Sequence, residues 1–379
     1  MGDSNSVLTR IPVEVWRIIL LEVMHIPYIL DITCKGSLFK LWDAIDSSEA
    51  HWDQSEWQRK LLCRVCKSWK HFAETTAYRS IGFQDYLEEP HILAHARRAL
   101  LYKSLEYMFT IPTLWEVVEI SSSGLVDKFL FSIVQGYHPR LRRLSMRANL
   151  SSVLATCQSA TFGQLTFLHL QFYTWPPHAL TGIQTTLPRL EVLIWEDPKM
   201  RLTPSDIFRL PNLHHFGWSI KYHYDISSTL LSFARTLRSL SIRSPNRHWC
   251  IEMLLLPDLN EFPHLEEFSI NTAFGFKDPK PFPPTYPLHT VYLRDFHSFT
   301  VLVPCVMHIL DCNPAKLRRI QFRNLEWGNG GVPENAGNRE ERATIVQLAD
   351  WCEERGIRVE SSKGQVRSEM PLGHRDFTF

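Results

Sequence analysis

Leu165-Thr166-Phe167-Leu168-His169-Leu170 decides the reading of the fold. Its apolar residues fall at the first, fourth and sixth positions, and from the fourth onward the alternation is that of a strand with one buried face. The same Leu-x-x-Leu-x-Leu pattern, with Phe, Val, Ile, Trp or Met substituting, begins at Leu141, Leu165, Leu190, Leu213, Leu237, Leu265, Leu288 and Leu317. Successive starts are 24, 25, 23, 24, 28, 23 and 29 residues apart, a period that predicts a stacked solenoid. Trp115-Glu116-Val117-Val118-Glu119-Ile120 reads as a degenerate ninth copy. A single repeat cannot stand alone. Ordering about 24 residues costs roughly 1–2 kcal/mol each in backbone entropy, while three buried aliphatic side chains return only about 1.5–3 kcal/mol apiece. Stacking buries the same leucines from both sides and makes the array cooperative.

Pattern and period together resemble leucine-rich repeats, and the resemblance implies an irregular horseshoe with strands on its inner face. Only the copy at Leu141 continues with that family's asparagine, at Asn149, so the other turns must satisfy their backbone groups differently. Pro188, Pro211, Pro263 and Pro287 precede strands, where no ladder donor is lost. Ser152 to Cys157, Ile226 to Ala234 and the proline-rich loop Phe274 to Tyr286 are expected on the outer side. Gly328 to Gly337 reads as a flexible loop. Arg339 to Arg355 reads as an amphipathic helix with Ile345, Leu348, Ala349 and Cys352 on one face, and Ile357-Arg358-Val359 as a last strand, together capping the array. Residues 361–379 have lost the pattern and read as a mobile tail.

Strand alternation puts the third, fifth and seventh positions of each copy on the inner face. Arg143, Arg147, Arg243, Arg294, Arg319 and Arg323 stand there with His169 and Tyr292, against Glu196 and Glu267 and without a lysine. Arginine forks suit carboxylates and phosphates, so this face is expected to grip an acidic or phosphorylated segment of a protein target. The plainer alternative is a set of solvated charges that keep the sheet soluble.

A second kind of sequence lies in residues 10–83. Ile11-Pro12-Val13-Glu14-Val15-Trp16 reads as a helix start, with Pro12 at the first helical position and Glu14 meeting the helix dipole. Val15, Trp16, Ile18, Ile19, Leu20, Leu21 and Val23 give a wider apolar surface than one packing face needs, which asks for a partner. Further on, Leu61, Val65, Trp69 and Phe72 fall at helical spacing, opposite Arg59, Lys60, Arg64, Lys67 and Lys70. Ile-Pro-x-Glu-Val-Trp-x-x-Ile-Leu, then Val65-Cys66-Lys67-Ser68-Trp69, then Tyr78-Arg79-Ser80-Ile81 resemble an F-box domain. Ile11 stands where that family has leucine, and the gap between the first two pieces is about twice the family's usual one. Residues 31–56 are the excess and read as an ordered insertion, with Ser55 capping a helix that begins near Glu56. The resemblance implies docking on a Skp-type adaptor, and through it on a cullin ubiquitin ligase. Carried over onto this chain, the adaptor-facing residues are Ile11, Pro12, Ile19, Leu20, Val65, Cys66 and Trp69, acting by packing; each could equally serve the module's own small core.

Composition narrows the alternatives. A net charge of +1 gives no electrostatic footprint for nucleic acid or an anionic membrane. No apolar run is long enough to span a bilayer. Met1 to Ser6 formally fits a myristoylation signal, without a polybasic second signal, and the plainer reading is a polar tail. The eight cysteines lack the spacing of a secreted disulfide scaffold, so reduced thiols in an intracellular compartment, cytoplasmic or nuclear, are expected. Cys63 and Cys66 have the spacing of a zinc half-site without a second half, and Cys66 reads as a small buried residue. His214 and His215 project to opposite faces of a strand and so do not form a metal pair. No phosphate loop, Gly-x-Ser-x-Gly elbow or His-Glu-x-x-His pair is present, so no catalytic residue, cofactor or metal is expected.

The expected fold class is therefore α/β: a tail at 1–9, a helical F-box module at 10–83, a connecting helical segment at 84–112, a leucine-rich-repeat solenoid with its cap at 113–360, and a tail at 361–379. The expected function is that of a non-catalytic substrate receptor in a ubiquitin ligase. The alternative is a repeat scaffold with a degenerate F-box and no ubiquitin role.

Overall fold

The computed structural model describes residues 12–23, 48–75, 79–81, 96–102, 117–121, 141–148, 162–172, 185–197, 203–220, 226–243, 254–271, 274–276, 280–293, 306–312, 314–322, 325–328, 331, 333–334, 339–361 and 364–369. One parallel sheet runs through it. Its twelve strands follow chain order: β1 (Arg79–Ile81), β2 (Ala96–Tyr102), β3 (Val117–Ser121), β4 (Arg143–Ala148), β5 (Phe167–Phe172), β6 (Val192–Asp197), β7 (His215–Ile220), β8 (Ser239–Arg243), β9 (Glu267–Ile270), β10 (Thr290–Leu293), β11 (Arg319–Phe322) and β12 (Arg358–Glu360). Sequential parallel pairing with one strand per repeat is the topology of a solenoid. The chain is thus α/β with a parallel repeat solenoid, as the spacing predicts.

The eight leading leucines, Leu141 through Leu317, are all 2% exposed or less. They share one continuous core with the alternate strand residues, such as Leu168, Leu170, Leu193 and Trp195. The ladder also extends ahead of the strands. The amide of each second position donates to the carbonyl of the second position one repeat earlier, as in Thr166 to Arg142 at 2.9 Å, Glu191 to Thr166 at 2.9 Å, His214 to Glu191 at 2.9 Å and Arg238 to His214 at 2.8 Å. The series continues through Glu266, His289 and Arg318, and at the last strand the third-position amide of Arg358 donates to the Arg318 carbonyl. Before several strands a tight turn closes onto the leading leucine, with the amide of Leu190 donating to Leu187, Leu213 to Leu210 and Leu265 to Phe262. Pro188, Pro211 and Pro263 occupy the second position of these turns, where a fixed φ helps and no donor is needed.

Several expectations need correction. The connecting helix expected at 84–112 is, over Ala96–Tyr102, a strand paired on both sides, with β1 and β3. The sheet therefore begins at Arg79, inside the stretch assigned to the helical module, and the degenerate copy at Trp115–Ile120 does supply a strand, β3. Phe274–Phe276, expected in a loop, is a short strand beside Leu254–Leu256. On the outer side Ser227–Phe233 forms helix α4, numbered after three helices given below, close to the expected Ile226 to Ala234.

The cap is helix α5 (Arg339–Glu354), with Ile345, Leu348, Ala349 and Cys352 buried, followed by β12. The ordered cap continues beyond 361. Val366 bridges Glu360 in antiparallel sense, and Arg367–Glu369 form a helical turn. Part of the loop expected to be flexible is also fixed: Trp327 bridges Pro333, and Gly331 takes φ +67°, the left-handed region glycine accepts without strain. Arg367 ties these pieces together. Its guanidinium donates to the Gly331 carbonyl at 3.0 Å and to Asp350 at 2.7 Å, and reaches Glu353 at 3.4 Å. Arg367→Ala is expected to cost about 1–3 kcal/mol, since it leaves the buried Gly331 carbonyl without its donor. Loss of amide-exchange protection confined to α5 and β12 would check this.

The N-terminal helices are α1 (Val13–Val23), α2 (Ser48–Val65) and α3 (Lys67–Thr75). Pro12 sits one place earlier than expected: its carbonyl accepts from Val15 and Trp16, so it caps α1. Helix α2 starts at Ser48, seven residues before the expected cap Ser55, and absorbs the second half of the inserted stretch. Leu20, Leu62, Phe72 and Ala73 form a small separate core with Cys63 and Trp69 against it. Among the described residues no helix is long and apolar enough to cross a membrane.

Candidate functional site

Two surfaces carry the sequence-predicted site residues. On the helices, the chain breaks at Cys66, whose carbonyl accepts the Lys70 amide at 2.9 Å and so opens α3. This break rotates the expected stripe. Leu62 and Phe72 turn inward, while Leu61 and Val65 stay outside. Leu20, expected at the adaptor, is 4% exposed and belongs to the small core, because three short helices need an apolar centre of their own. Cys66, expected to be a small buried residue, is exposed. Trp69 is half-buried with its ring 5.3 Å from Trp16. Pro12, Ile19 and Val65 are exposed, and Ile11 lies outside the described residues. Val15 and Ile18 (66% exposed), read from the sequence as surplus apolar surface but not among the carried-over adaptor residues, and Trp57 (62%), which sequence reasoning missed, join Ile19, Leu61 and Val65 (58%) as exposed large apolar residues on α1 and α2. The over-apolar composition of α1 was the signal for the first two; Trp57 carried none.

The second surface is the inner face of the sheet. Register places Ser145 beside His169, His169 beside Ile194, and Gln171 beside Glu196. Side chains then bond across strands: Ser145 Oγ lies 2.9 Å from His169 Nδ1, His169 Nε2 lies 2.8 Å from Glu196 Oε1, and Gln171 Nε2 donates to Glu196 Oε2 at 3.1 Å. A serine, histidine and carboxylate in series invite comparison with a nucleophile relay. Here the strand amides around Ser145 serve the ladder to the neighbouring strands, which leaves them unsuited to hold an oxyanion. The ladder ties three strands together, and both Glu196 oxygens are occupied.

Two of the arginines expected on this face, Arg143 and Arg319, are engaged by neighbouring side chains. Arg143 is 2% exposed and lies 4.0 Å over the Phe167 ring. Arg319 donates to the Tyr292 hydroxyl at 2.9 Å and pairs with Glu360 at 3.8 Å; Tyr292 is itself buried. Burial argues against the expected target contact for Arg143 and Tyr292, while Arg319 is held by its neighbours and stays partly exposed. Arg143, His169, Glu196, Arg243 and Tyr292 each make contacts in addition to these. Arg147 is exposed, Arg243 is half-buried, and Arg294 and Arg323 lie outside the described residues.

Further along the face, His215 has its pKa lowered to about 4, by burial first and then by the charges of His214 and Arg238. The rings of His214 and His215 are 6.5 Å apart and perpendicular. Among the described residues no group of three His, Cys, Asp or Glu side chains could hold a metal ion. The inner face also has an apolar centre that charge-based reading passed over. Phe167, Val192 and Ile194 occupy consecutive inner positions and are fully buried. Compared with family models, curated proteins and solved structures, the chain matches none.

Proposed function

We propose that this protein is the substrate-recognition subunit of a Skp/cullin/F-box-type ubiquitin ligase, with α1 to α3 as its F-box and the solenoid, of leucine-rich-repeat kind, as its target-binding domain. The observation that supports this most is the exposed apolar set Val15, Ile18, Ile19, Leu61 and Val65 on two short helices whose own core is already supplied by Leu20, Leu62, Phe72 and Ala73. Apolar side chains left outside a completed core mark a partner surface. The adaptor would pack there, and no covalent chemistry is asked of this chain. A protein target would take the inner face, with Arg147 at hand for an acidic or phosphorylated group.

Ile18→Asp combined with Val65→Asp tests the reading cleanly, because both side chains are exposed and their loss leaves folding within about 0.5 kcal/mol. The expected result is at least a roughly tenfold loss of adaptor affinity, with an unchanged melting curve. A folded double variant that still brings down adaptor and cullin would overturn the assignment. If the unaltered chain recovers neither protein, the scaffold reading replaces the ligase reading.

A further inference from the structure

An exposed proline ridge on the solenoid belongs to neither surface described above. Lys280-Pro281-Phe282-Pro283-Pro284-Thr285 lies between the short strand Phe274–Phe276 and β10. Its conformation is set locally. Pro281, Pro283 and Pro284 each fix their own φ at about −65°. Lys280, Phe282 and Pro283 each precede a proline, which holds them in the extended or polyproline region. Pro281 lies in no turn or bend, and no peptide bond among the described residues is cis. Lys280 to Pro283 therefore follow a polyproline II course, with about three residues per turn and a rise of about 3.1 Å. That period sorts the side chains onto three faces: Pro281 with Pro284, Lys280 with Pro283, and Phe282 with Thr285.

Burial separates one of these faces from the other two. Phe282 is buried and stacks on Tyr286, with ring centres 4.3 Å apart and planes 3° from parallel. Its amide donates to the Cys312 carbonyl at 2.7 Å. The Tyr286 amide donates to the Pro283 carbonyl at 2.9 Å, and its hydroxyl to the Leu259 carbonyl at 2.7 Å. Asn260 Nδ2, held by Asp258 at 3.0 Å, reaches the carbonyls of Lys280 at 3.3 Å and Pro281 at 3.5 Å. Phe282 and Tyr286 belong to the continuous core, so the ridge sits over the core and not on the inner face. Lys280, Pro281, Pro283 and Pro284 are exposed.

A groove that receives a three-faced helix from one side meets two faces and leaves the third turned away. Here Lys280-Pro281 and Pro283-Pro284 are the two exposed pairs, and Phe282 is the residue turned away. We propose that this ridge is a docking site for the aromatic-lined, polyproline-reading groove of an SH3-type domain on a partner protein. The ridge is already ordered by its own anchors, so binding pays little of the usual entropy cost. Asn260 occupies two of the carbonyls, which leaves the proline rings as the gripping points. Lys280, with 68% of its side chain exposed, offers a cation to a carboxylate at the groove's edge. Pro283-Pro284-Thr285-Tyr286 also spells the Pro-Pro-x-Tyr pattern that WW domains read through the tyrosine, but Tyr286 is buried and bonded here. A partner on the ridge leaves α1 to α3 and the inner face open, and the proposal does not rest on the ligase reading.

The test presents the folded full chain to an array of purified SH3 domains covering both ligand orientations, with WW domains as comparators. At least one SH3 domain is expected to bind, with a roughly tenfold or greater loss of affinity for the chain carrying Pro281→Ala and Pro284→Ala. Both rings are exposed, so the melting curve of that variant is expected to stay close to that of the unaltered chain. In a second arm the same SH3 domain is titrated with a synthetic peptide of residues 277–287. The peptide lacks the anchors under Phe282 and Tyr286 and is expected to bind about threefold or more weakly than the folded chain. No binding by any SH3 domain of the array, undiminished binding by the double variant, a peptide that binds as tightly as the folded chain, or binding by WW domains alone would each overturn the proposal.

Discussion

Replacing Trp195 by alanine is expected to lower the stability of the solenoid by about 3–5 kcal/mol, the range for removing a large buried aromatic from a packed core. The indole is fully buried, its ring centre is 4.7 Å from Phe172 and 6.3 Å from Phe208, and it stands in the middle of the array, on β6. Position matters because each repeat contacts only its neighbours. A cavity at β6 weakens the interfaces with β5 and β7 together, whereas the same loss at an end would fray one interface. Trp195→Phe should cost markedly less. The indole Nε1 is buried without a hydrogen-bond partner, so phenylalanine keeps much of the packing and removes an unsatisfied donor. Urea midpoints for the two variants check the ordering. Leu231→Ala, at an exposed position on the outer helix α4, serves as the control and is expected within about 0.5 kcal/mol of the unaltered chain.

How far the sequence discloses this architecture depends on whether a feature is local. The eight-fold Leu-x-x-Leu-x-Leu pattern repeats the same buried positions, so the strands β4 to β11 and the solenoid are legible from spacing alone. Helix α5 with Cys352 on its buried face is legible for the same reason. Strand β2 is not. Ala96-Arg97-Arg98-Ala99-Leu100-Leu101-Tyr102 consists largely of good helix formers, and the pairing with β1 and β3 overrides that propensity. The inner face fails differently. Its charged residues are correctly placed on it by alternation, but their engagement depends on partners 24 to 41 residues away, such as Arg143 with Phe167 and Arg319 with Glu360. Counting arginines cannot reveal which of them already have a ring or a carboxylate. On the helices, a single non-helical residue, Cys66, puts Leu61 and Val65 out of phase with Trp69 and Phe72, and periodicity across that break could not anticipate it.

His215 is expected to make the fold acid-sensitive in a defined window. Its pKa is about 4 in the folded chain against an ordinary 6.5, because burial disfavours the charged ring and His214 and Arg238 add positive charge nearby. Its Nδ1 is buried without a hydrogen-bond partner, which fits an imidazole kept neutral. Above pH 6.5 the ring is neutral in both states and contributes nothing to the pH dependence. As pH falls from 6.5 to 4, the unfolded chain takes up a proton that the folded chain refuses, so stability falls with pH. Below 4 both states are protonated and the loss levels off. The full gap, from 6.5 to about 4, corresponds to about 3 kcal/mol at roughly 1.4 kcal/mol per pH unit. In His215→Gln this slope should vanish, so the stability difference between variant and unaltered chain changes by up to about 3 kcal/mol between pH 7 and pH 4. A constant difference across that range would show that the ring titrates normally. Trp195→Ala, which disturbs the opposite side of the sheet, should lower stability at every pH and leave that slope in place.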